Sequence, residues 1–208
     1  PWLVTWNITK VGFGDGTGKV AWVIDSGIDF DHPDLTIDKT LSKSFVNGII
    51  SATDENGHGT HVAGIIAAKN NDFGVLGVAS GATLVSLRVM DKNGEGKLSS
   101  IIQALAYVNA HGKAGDVVNI SIGEDGVSDI LDEQVKATAA KGIFIAIAAG
   151  NEGKPANQYS PAHVNAPNVY TISAVDSTGT FADFSNFGND VVDYAAPGVK
   201  VLSTYKDQ

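Results

Sequence analysis

The fold is decided by Lys19-Val20-Ala21-Trp22-Val23-Ile24, a stretch that predicts a buried strand and leads directly into Asp25-Ser26-Gly27. Its apolar residues follow one another without alternation, which is typical of a strand buried on both faces of a parallel sheet. Similar short apolar runs predict further strands at residues 84–90, 117–122, 143–148 and 169–175.

Longer segments with helical periodicity separate these strands. We expect helices at 60–69 with Gly59 or Thr60 near the start, at 99–109 with Ser99 as N-cap, and at 130–141 between an Asp129 cap and Gly142. Buried strands that alternate with helices predict an α/β protein, a three-layer α/β/α sandwich around a mostly parallel sheet. No repeat or linker interrupts the pattern, so residues 1–208 are expected to form one domain.

Composition narrows the classes of partner. The formal net charge is −9, from 23 acidic and 14 basic side chains. Nucleic acid and anionic membranes both require a basic surface, so neither is expected as a partner. The charge is compatible with bound cations and equally with a solubilising acidic surface. The chain has no cysteine, which excludes disulfides, thiolate metal sites and cysteine nucleophiles.

Polar residues follow two of the predicted strands, where a parallel α/β sheet usually carries its chemistry. Asp25 ends the first strand, and an ionised carboxylate beside a core strand needs a hydrogen-bond donor. Asn151, in Ala148-Ala149-Gly150-Asn151-Glu152-Gly153, can donate its NH₂ to negative charge developing on a carbonyl oxygen. Each has a plainer interpretation as a turn residue, an aspartate that caps a turn or an asparagine with left-handed backbone.

A histidine lies among small residues in Asn56-Gly57-His58-Gly59-Thr60-His61-Val62-Ala63-Gly64, at the entrance of a predicted helix. Its imidazole can take and return a proton near neutral pH, and the glycines on both sides allow close approach. A zinc site is the competing interpretation, since His58 and His61 are near neighbours. The zinc-protease motif has its histidines four residues apart around a glutamate, which this segment lacks, and no third ligand is evident.

Taken in the order Asp, His, Asn, these segments resemble the subtilisin-like serine proteases, or subtilases, over nearly the whole chain. The stretch 58–64 is the most specific, whereas 157–162, 184–188 and 195–198 are more similar to the proteinase K branch. The resemblance implies a subtilisin-like peptidase S8 catalytic domain and a serine endopeptidase of broad preference. It also implies secretion to the extracellular space after removal of a pro-segment.

The resemblance implies a role for individual residues. Asp25 would orient the imidazole, His58 would act as general base and acid, and Asn151 would donate to the oxyanion, with His61 a structural neighbour. Two segments would pair with a peptide backbone and a third would form one wall of the specificity pocket: Gly94-Glu95-Gly96, Ser121-Ile122-Gly123 and Ala148-Ala149-Gly150. Glu124 is an acid at the rim that either favours basic substrates or is a solvated surface charge.

A structural calcium ion is also implied by the resemblance. The expected ligands are the side chains of Asp34 and Asn71 and the backbone carbonyls of Lys69, Phe73 and Val75. Such an all-oxygen shell suits calcium. Asp193 matches a weaker cation position. Both aspartates are also acceptable as ordinary turn residues.

The family's nucleophilic serine belongs downstream of Ala196-Pro197-Gly198, and no matching segment occurs before the sequence ends at Gln208. We therefore expect a catalytic domain truncated at its C-terminus, which supplies the Asp and His of an Asp-His-Ser triad and is inactive alone. The expected partners are a polypeptide substrate and the chain's own C-terminal fragment or pro-segment. The alternative is a pseudoprotease that binds peptides without cutting them, or an inactive fragment.

Overall fold

The structure, a computed structural model, describes residues 3–207. These residues cluster into two compact units, one formed by the residues up to Ala104 together with those from Val201 onward, the other by Leu105–Lys200. Within the described part of the chain, no helix has both the length and the apolar character needed to cross a membrane. The expectation of a single domain stays a prediction.

The first unit is built on parallel strands. Its elements are α1 (Trp6–Val11), β1 (Gly14–Asp15), β2 (Val20–Asp25), β3 (Lys43–Ser44), α2 (His58–Ala67), β4 (Ala79–Ser80), β5 (Thr83–Arg88) and the beginning of α3 (Leu98–His111). β2 pairs with β5 along its whole length, and β5 pairs with β3. A separate two-stranded parallel ladder joins β1 to β4.

The end of β2 and the helix α2 are closely packed. Residues 21–25 of this strand are buried, and β5 beside it is buried from Leu84 onward. α2 covers the sheet with small residues, because Ala63 and Ala67 are completely buried and Gly64 has no room for a Cβ beside Ser203 and Thr204. Close packing of this kind holds the end of β2 and the start of α2 in fixed positions.

The second unit has its own parallel strands. Its elements are β6 (Val117–Ile120), β7 (Glu124–Asp125), α4 (Asp129–Ala139), β8 (Phe144–Ala148), a 3₁₀ turn (Ala156–Gln158), β9 (Tyr159–Ser160), β10 (Val169–Val175) and β11 (Tyr194–Pro197). β6, β8, β10 and β11 pair in this order, all parallel, whereas β7 and β9 form an antiparallel ladder. α4 packs against β8 and β10 through buried Leu131 and Val135.

The predicted strands are all present, and two predicted helix caps are wrong. α3 already includes Leu98, so Ser99 lies inside the helix. α4 has Ser128 as its N-cap, whose side chain accepts a hydrogen bond from the backbone N–H of Leu131, and Asp129 is the first helical residue. Serine and aspartate cap about equally well, so the burial of Leu131 and Val135 decides where this helix begins.

Candidate active site

Asp25 and His58 form a hydrogen-bonded pair in the first unit. Nδ1 of His58 lies 2.7 Å from Oδ1 of Asp25, whose side chain is completely buried, whereas the His58 side chain is 49% exposed. An ionised carboxylate can only accept, so Nδ1 carries the proton and Nε2 is left as the basic nitrogen. The pair therefore presents a proton acceptor on a half-exposed imidazole, which is the arrangement of a general base.

The Asp25 carboxylate is bonded on one side only. Oδ1 also accepts the backbone N–H of Ser26 at 2.7 Å, whereas Oδ2 is buried without a hydrogen-bond partner among the described residues. The hydrogen bond to Asp25 raises the pKa of His58; burial opposes this effect, and the charges of Asp25 and Asp54 add to it. The imidazolium that forms after proton uptake is therefore stabilised by its surroundings.

The start of α2 depends on two glycines. Gly57 precedes the helix with φ +112°, which an L-residue rarely adopts, and a Cβ on Gly59 would overlap the carbonyl oxygen of Gly27. The backbone N–H of His58 donates to the side-chain oxygen of Asn56 at 3.2 Å. The close approach of Gly59 to Gly27 brings the first turn of α2 against the turn after β2.

His61 has a different environment. Its Nε2 donates to the carbonyl oxygen of Val201 at 3.1 Å, and burial lowers its pKa, an effect that this hydrogen bond opposes. Nδ1 of His58 is bonded to Asp25, so each histidine already has one ring nitrogen bonded to an oxygen of the protein. Among residues 3–207, no three His, Asp or Glu side chains are grouped so that they could hold a metal ion. The structure gives the zinc interpretation no support.

A pocket in the second unit brings together the residues predicted to bind substrate there. Ser121, Ile122 and Gly123 line it together with the stretch 148–151 that ends β8. Further lining comes from Asp125, Glu152, Lys154, Tyr159, Ser160 and Ala162. Glu124 lies on β7 beside this pocket, and its side chain is outside what the structure describes. The small residues at 148–150 form part of this lining. That the pocket takes a substrate side chain stays a prediction.

The loop that carries Asn151 is held rigid by its neighbours. The backbone N–H of Asn151 donates to Oε2 of Glu152 at 3.0 Å, and Nδ2 of Asn186 donates to the same oxygen at 2.7 Å. Oδ1 of the fully buried Asn186 accepts the N–H groups of Glu152 and Lys154. In the described chain the exposed carboxamide of Asn151 makes no hydrogen bond, so its NH₂ is available to a ligand.

Glu152 and Asn186 received no role from sequence reasoning. Both lie in stretches quoted for the resemblance, but their partners are distant along the chain. The fixed loop removes conformational freedom that binding would otherwise have to restrict. The stretch Phe184-Ser185-Asn186 gave no signal of this role, because the burial of Asn186 and its bonds to Glu152 and Lys154 are seen only in the folded chain.

Gly94-Glu95-Gly96 belongs to the first unit, in the turn that follows β5. The backbone N–H of Asp91 donates to the carbonyl oxygen of Glu95 at 2.9 Å, and Gly94 has φ +80°. The side chain of Asn56 donates to the carbonyl oxygen of Lys92 at 3.1 Å. Because Asn56 also accepts from the N–H of His58, this one side chain joins the turn that precedes Gly94 to the start of α2.

The predicted calcium ligands lie around one buried carboxylate. Oδ1 of Asp34 accepts a hydrogen bond from Nδ2 of Asn71 at 2.9 Å, and Oδ2 accepts one from the backbone N–H of Val75 at 3.3 Å. The backbone N–H of Lys69 donates to the carbonyl oxygen of Asp34. Burial raises the pKa of Asp34, and these hydrogen bonds partly oppose it. The donor types fit calcium. The side-chain oxygen of Asn71, however, already accepts a hydrogen bond from the backbone N–H of Phe73. Asn71 would have to turn to offer that oxygen to an ion.

Asp193 lies apart from this loop, in the second unit. Its Oδ2 accepts the backbone N–H of Thr171 at 2.8 Å, and its own N–H donates back to the carbonyl oxygen of Thr171. The side chain therefore has a structural partner next to β10. A role in binding a cation stays a prediction.

The fold and the paired residues define a class, α/β proteins in which a buried aspartate at a strand end orients a histidine at a helix start. The family model described as the subtilase family, Peptidase_S8, matches residues 16–208. The chain belongs to the subtilase family. The predicted family membership is thereby confirmed.

Curated relatives are similar over most of this chain. Subtilisin-like protease 2 of Pseudogymnoascus destructans is 42% identical, with 91% of this chain and 45% of that protein covered. Subtilisin BL of Lederbergia lenta is 41% identical, with 97% of this chain and 74% of that protein covered. The chain thus spans under half of the first relative and about three quarters of the second.

A solved structure supports the same assignment. The crystal structure of a cold adapted subtilisin-like serine proteinase matches with a TM-score of 0.84 and 32% identity, covering 97% of this chain and 75% of that one. The predicted fold, a subtilisin-like α/β sandwich with a mostly parallel sheet, is confirmed by this match.

Proposed function

We propose that the protein is a serine endopeptidase that hydrolyses peptide bonds through an Asp-His-Ser triad. Asp25 and His58 supply two members, Asn151 is the side-chain donor of the oxyanion hole, and the serine comes from outside these 208 residues. The observation that carries the proposal is the 2.7 Å contact between the buried Asp25 carboxylate and Nδ1 of the half-exposed His58. Membership of the subtilase family supports it.

The chemistry follows from which atoms are free. Nε2 of His58 takes the proton of the serine hydroxyl as its oxygen attacks the scissile carbonyl, and Asp25 stabilises the imidazolium that results. The NH₂ of Asn151 donates to the carbonyl oxygen as it becomes negative. His58 then protonates the leaving amine. In the second half of the reaction His58 takes a proton from a water molecule, whose oxygen attacks the acyl group, and returns that proton to the serine oxygen as the acid product leaves.

Substrate recognition is proposed to rest on backbone pairing. An extended peptide would pair as a strand with Gly94-Glu95-Gly96 and with Ser121-Ile122-Gly123. Such main-chain pairing is largely independent of substrate side chains. The pocket beside Ala148-Ala149-Gly150 would take the side chain that precedes the scissile bond. Together these contacts favour broad proteolysis.

The test uses the product of the whole coding sequence. We expect a fluorophosphonate probe to label it and casein to be cleaved, with both lost in His58→Ala and retained in the matched control His61→Gln. Asn151→Leu should lower kcat by about 10²- to 10³-fold with little change in KM, a magnitude taken from this family's own known example. Peptide binding without labelling or cleavage would favour the pseudoprotease instead.

We propose separately that calcium binds at Asp34 and Asn71, with the carbonyls of Lys69, Phe73 and Val75. The completely buried carboxylate of Asp34 and the oxygen atoms that the five expected ligands can supply support this. Calcium should raise the melting temperature relative to the chain in EDTA. At a calcium concentration of about 100 times its Kd, binding should add about 2.7 kcal/mol to the free energy of unfolding. The effect should vanish in Asp34→Asn and persist in Asp193→Asn. An equal effect of magnesium would argue against a calcium site.

We also propose that the protein acts outside the cell, with polypeptides as substrates and its own pro-segment or C-terminal fragment as a partner. Family membership supports this compartment. Cell fractionation tests it, since activity retained in the cytoplasmic fraction would contradict secretion.

A further inference from the structure

Asp54 is a buried carboxylate that the proposed chemistry does not use. It lies between β3 and α2, is 7% exposed, and accepts five hydrogen bonds. Oδ1 accepts the Ser26 hydroxyl and the backbone N–H groups of Asn56 and Gly57, each at 2.9 Å. Oδ2 accepts the N–H of Thr60 at 3.0 Å and its hydroxyl at 2.6 Å.

These donors come from two segments, each of which adjoins one member of the Asp25–His58 pair. Ser26 follows Asp25 directly, and its hydroxyl oxygen also accepts the N–H of Gly59 at 2.9 Å. Gly57 and Thr60 flank His58. One carboxylate therefore joins the turn after β2 to the first turn of α2.

A helix-capping role would account for only part of this arrangement. Capping explains the bonds to Gly57 and Thr60 at the start of α2. It does not explain why the third donor to Oδ1 is the hydroxyl of Ser26, from the turn that directly follows Asp25. Packing is equally tight on this side, since Gly27 has no room for a Cβ beside Asp54.

We propose that Asp54 is a positioning residue for the proposed protease, which holds the imidazole of His58 against the carboxylate of Asp25 by anchoring Ser26 and the first turn of α2 together. Its negative charge also favours the imidazolium, and Asp25 acts on His58 in the same direction. Besides burial, the charge of His58 in turn lowers the pKa of the nearby His61. The inference rests on the proposed function for the statement that His58 is catalytic. The contacts that position His58 all belong to the first unit and do not depend on that function.

Two variants separate positioning from capping. Asp54→Asn keeps the shape but turns one oxygen into an NH₂ that faces donors. Ser26→Ala removes the bridge to the turn after β2 and leaves the bonds from Gly57 and Thr60 in place. Asp38→Asn is the matched control, because Asp38 accepts the N–H groups of Thr40 and Leu41 in a turn that makes no contact of this kind with His58.

The experiment is NMR of the histidine-labelled 208-residue chain. The wild type and Asp38→Asn should show a downfield Nδ1–H resonance for His58, and both Asp54→Asn and Ser26→Ala should lose it and lower the pKa of His58. If Asp54→Asn fails to fold, Ser26→Ala decides alone. A folded Ser26→Ala chain with the resonance and titration unchanged would overturn the proposal.

This readout requires no catalysis, so its failure and the failure of the proposed function are distinguishable. Phosphonate labelling with an unchanged Ser26→Ala titration would leave the protease and remove the positioning role. No phosphonate labelling together with a changed Ser26→Ala titration would keep the positioning role but contradict the proposed protease activity.

Discussion

Gly57 is the position at which one added methyl group should disturb both the backbone and a tertiary contact. It immediately precedes His58 and has φ +112° and ψ −21°. The ring of Tyr205 occupies the place that a Cβ would take, and its hydroxyl donates to the carbonyl oxygen of Asn56 at 3.1 Å. Gly57→Ala therefore forces a left-handed alanine and displaces an aromatic ring.

The cost can be worked from these two contributions. A non-glycine residue held in such a conformation costs about 1–3 kcal/mol. The Tyr205 side chain is 42% exposed and can swing outward, so its displacement costs mainly the hydrogen bond, about 0.5–1.5 kcal/mol. A central value of about 3 kcal/mol lowers the melting temperature of a chain of this size by about 6–12 °C.

Thermal unfolding followed by circular dichroism measures this loss against two controls. Gly18→Ala also has a positive φ, +78°, but with open space around it, so it should show a backbone cost without a displaced ring. Tyr205→Phe should show the hydrogen bond alone, and combining it with Gly57→Ala should cost less than the sum of the two. A Gly57→Ala chain that melts with Gly18→Ala, or with the wild type, would refute the calculation.

Three further predictions concern the helix cap and the Asp25–His58 pair. Ser128→Ala should cost about 0.5–2 kcal/mol and Asp129→Ala only about 0.3–1 kcal/mol in urea titrations, and the opposite order would place the cap at Asp129. Asp25→Asn should lower the pKa of His58 in an NMR titration, because the hydrogen bond to Asp25 is the largest cause of its raised value. An unchanged titration would mean that the two side chains do not interact. Because the folded pKa is raised above the ordinary 6.5, the pair's stabilisation is complete below that pH and is lost as pH rises through the folded value. Calorimetry of the wild type and Asp25→Asn from about pH 6 to 9 should therefore show their difference shrinking with pH, and a constant difference would contradict it.

The strands were predictable from sequence because their signal is local. Residues 20–24 form an unbroken apolar run, and 169–175 are rich in β-branched residues, so the composition of each stretch already specifies a strand. The helix caps were predicted wrongly for the opposite reason. Whether Ser128 or Asp129 caps α4 depends on which residues face the sheet, and that is decided by packing rather than by the preference of either side chain.

The same distinction applies to the site. Asp25, His58 and Asn151 stand in recognisable motifs, so the sequence alone was enough to predict them as candidates. Their supporting residues make contacts across 28 to 34 positions, as in the bonds from Ser26 to Asp54 and from Asn186 to Glu152. Nothing in the sequence around an aspartate or a glutamate reveals such a partner, because burial and partner choice are properties of the folded chain.

The two units prepare their functional groups by the same physical device. In the first, carboxylates occupy Nδ1 of His58 and the N–H groups at the start of α2, which leaves Nε2 of His58 unbonded. In the second, Glu152 and Asn186 satisfy the backbone of the loop and leave the Asn151 carboxamide without a partner. A donor or acceptor that is already fixed and unbonded needs no rearrangement when charge develops, which is where electrostatic catalysis gains most. The buried carboxylates Asp25 and Asp54 should therefore tolerate substitution less well than exposed acids of the first unit.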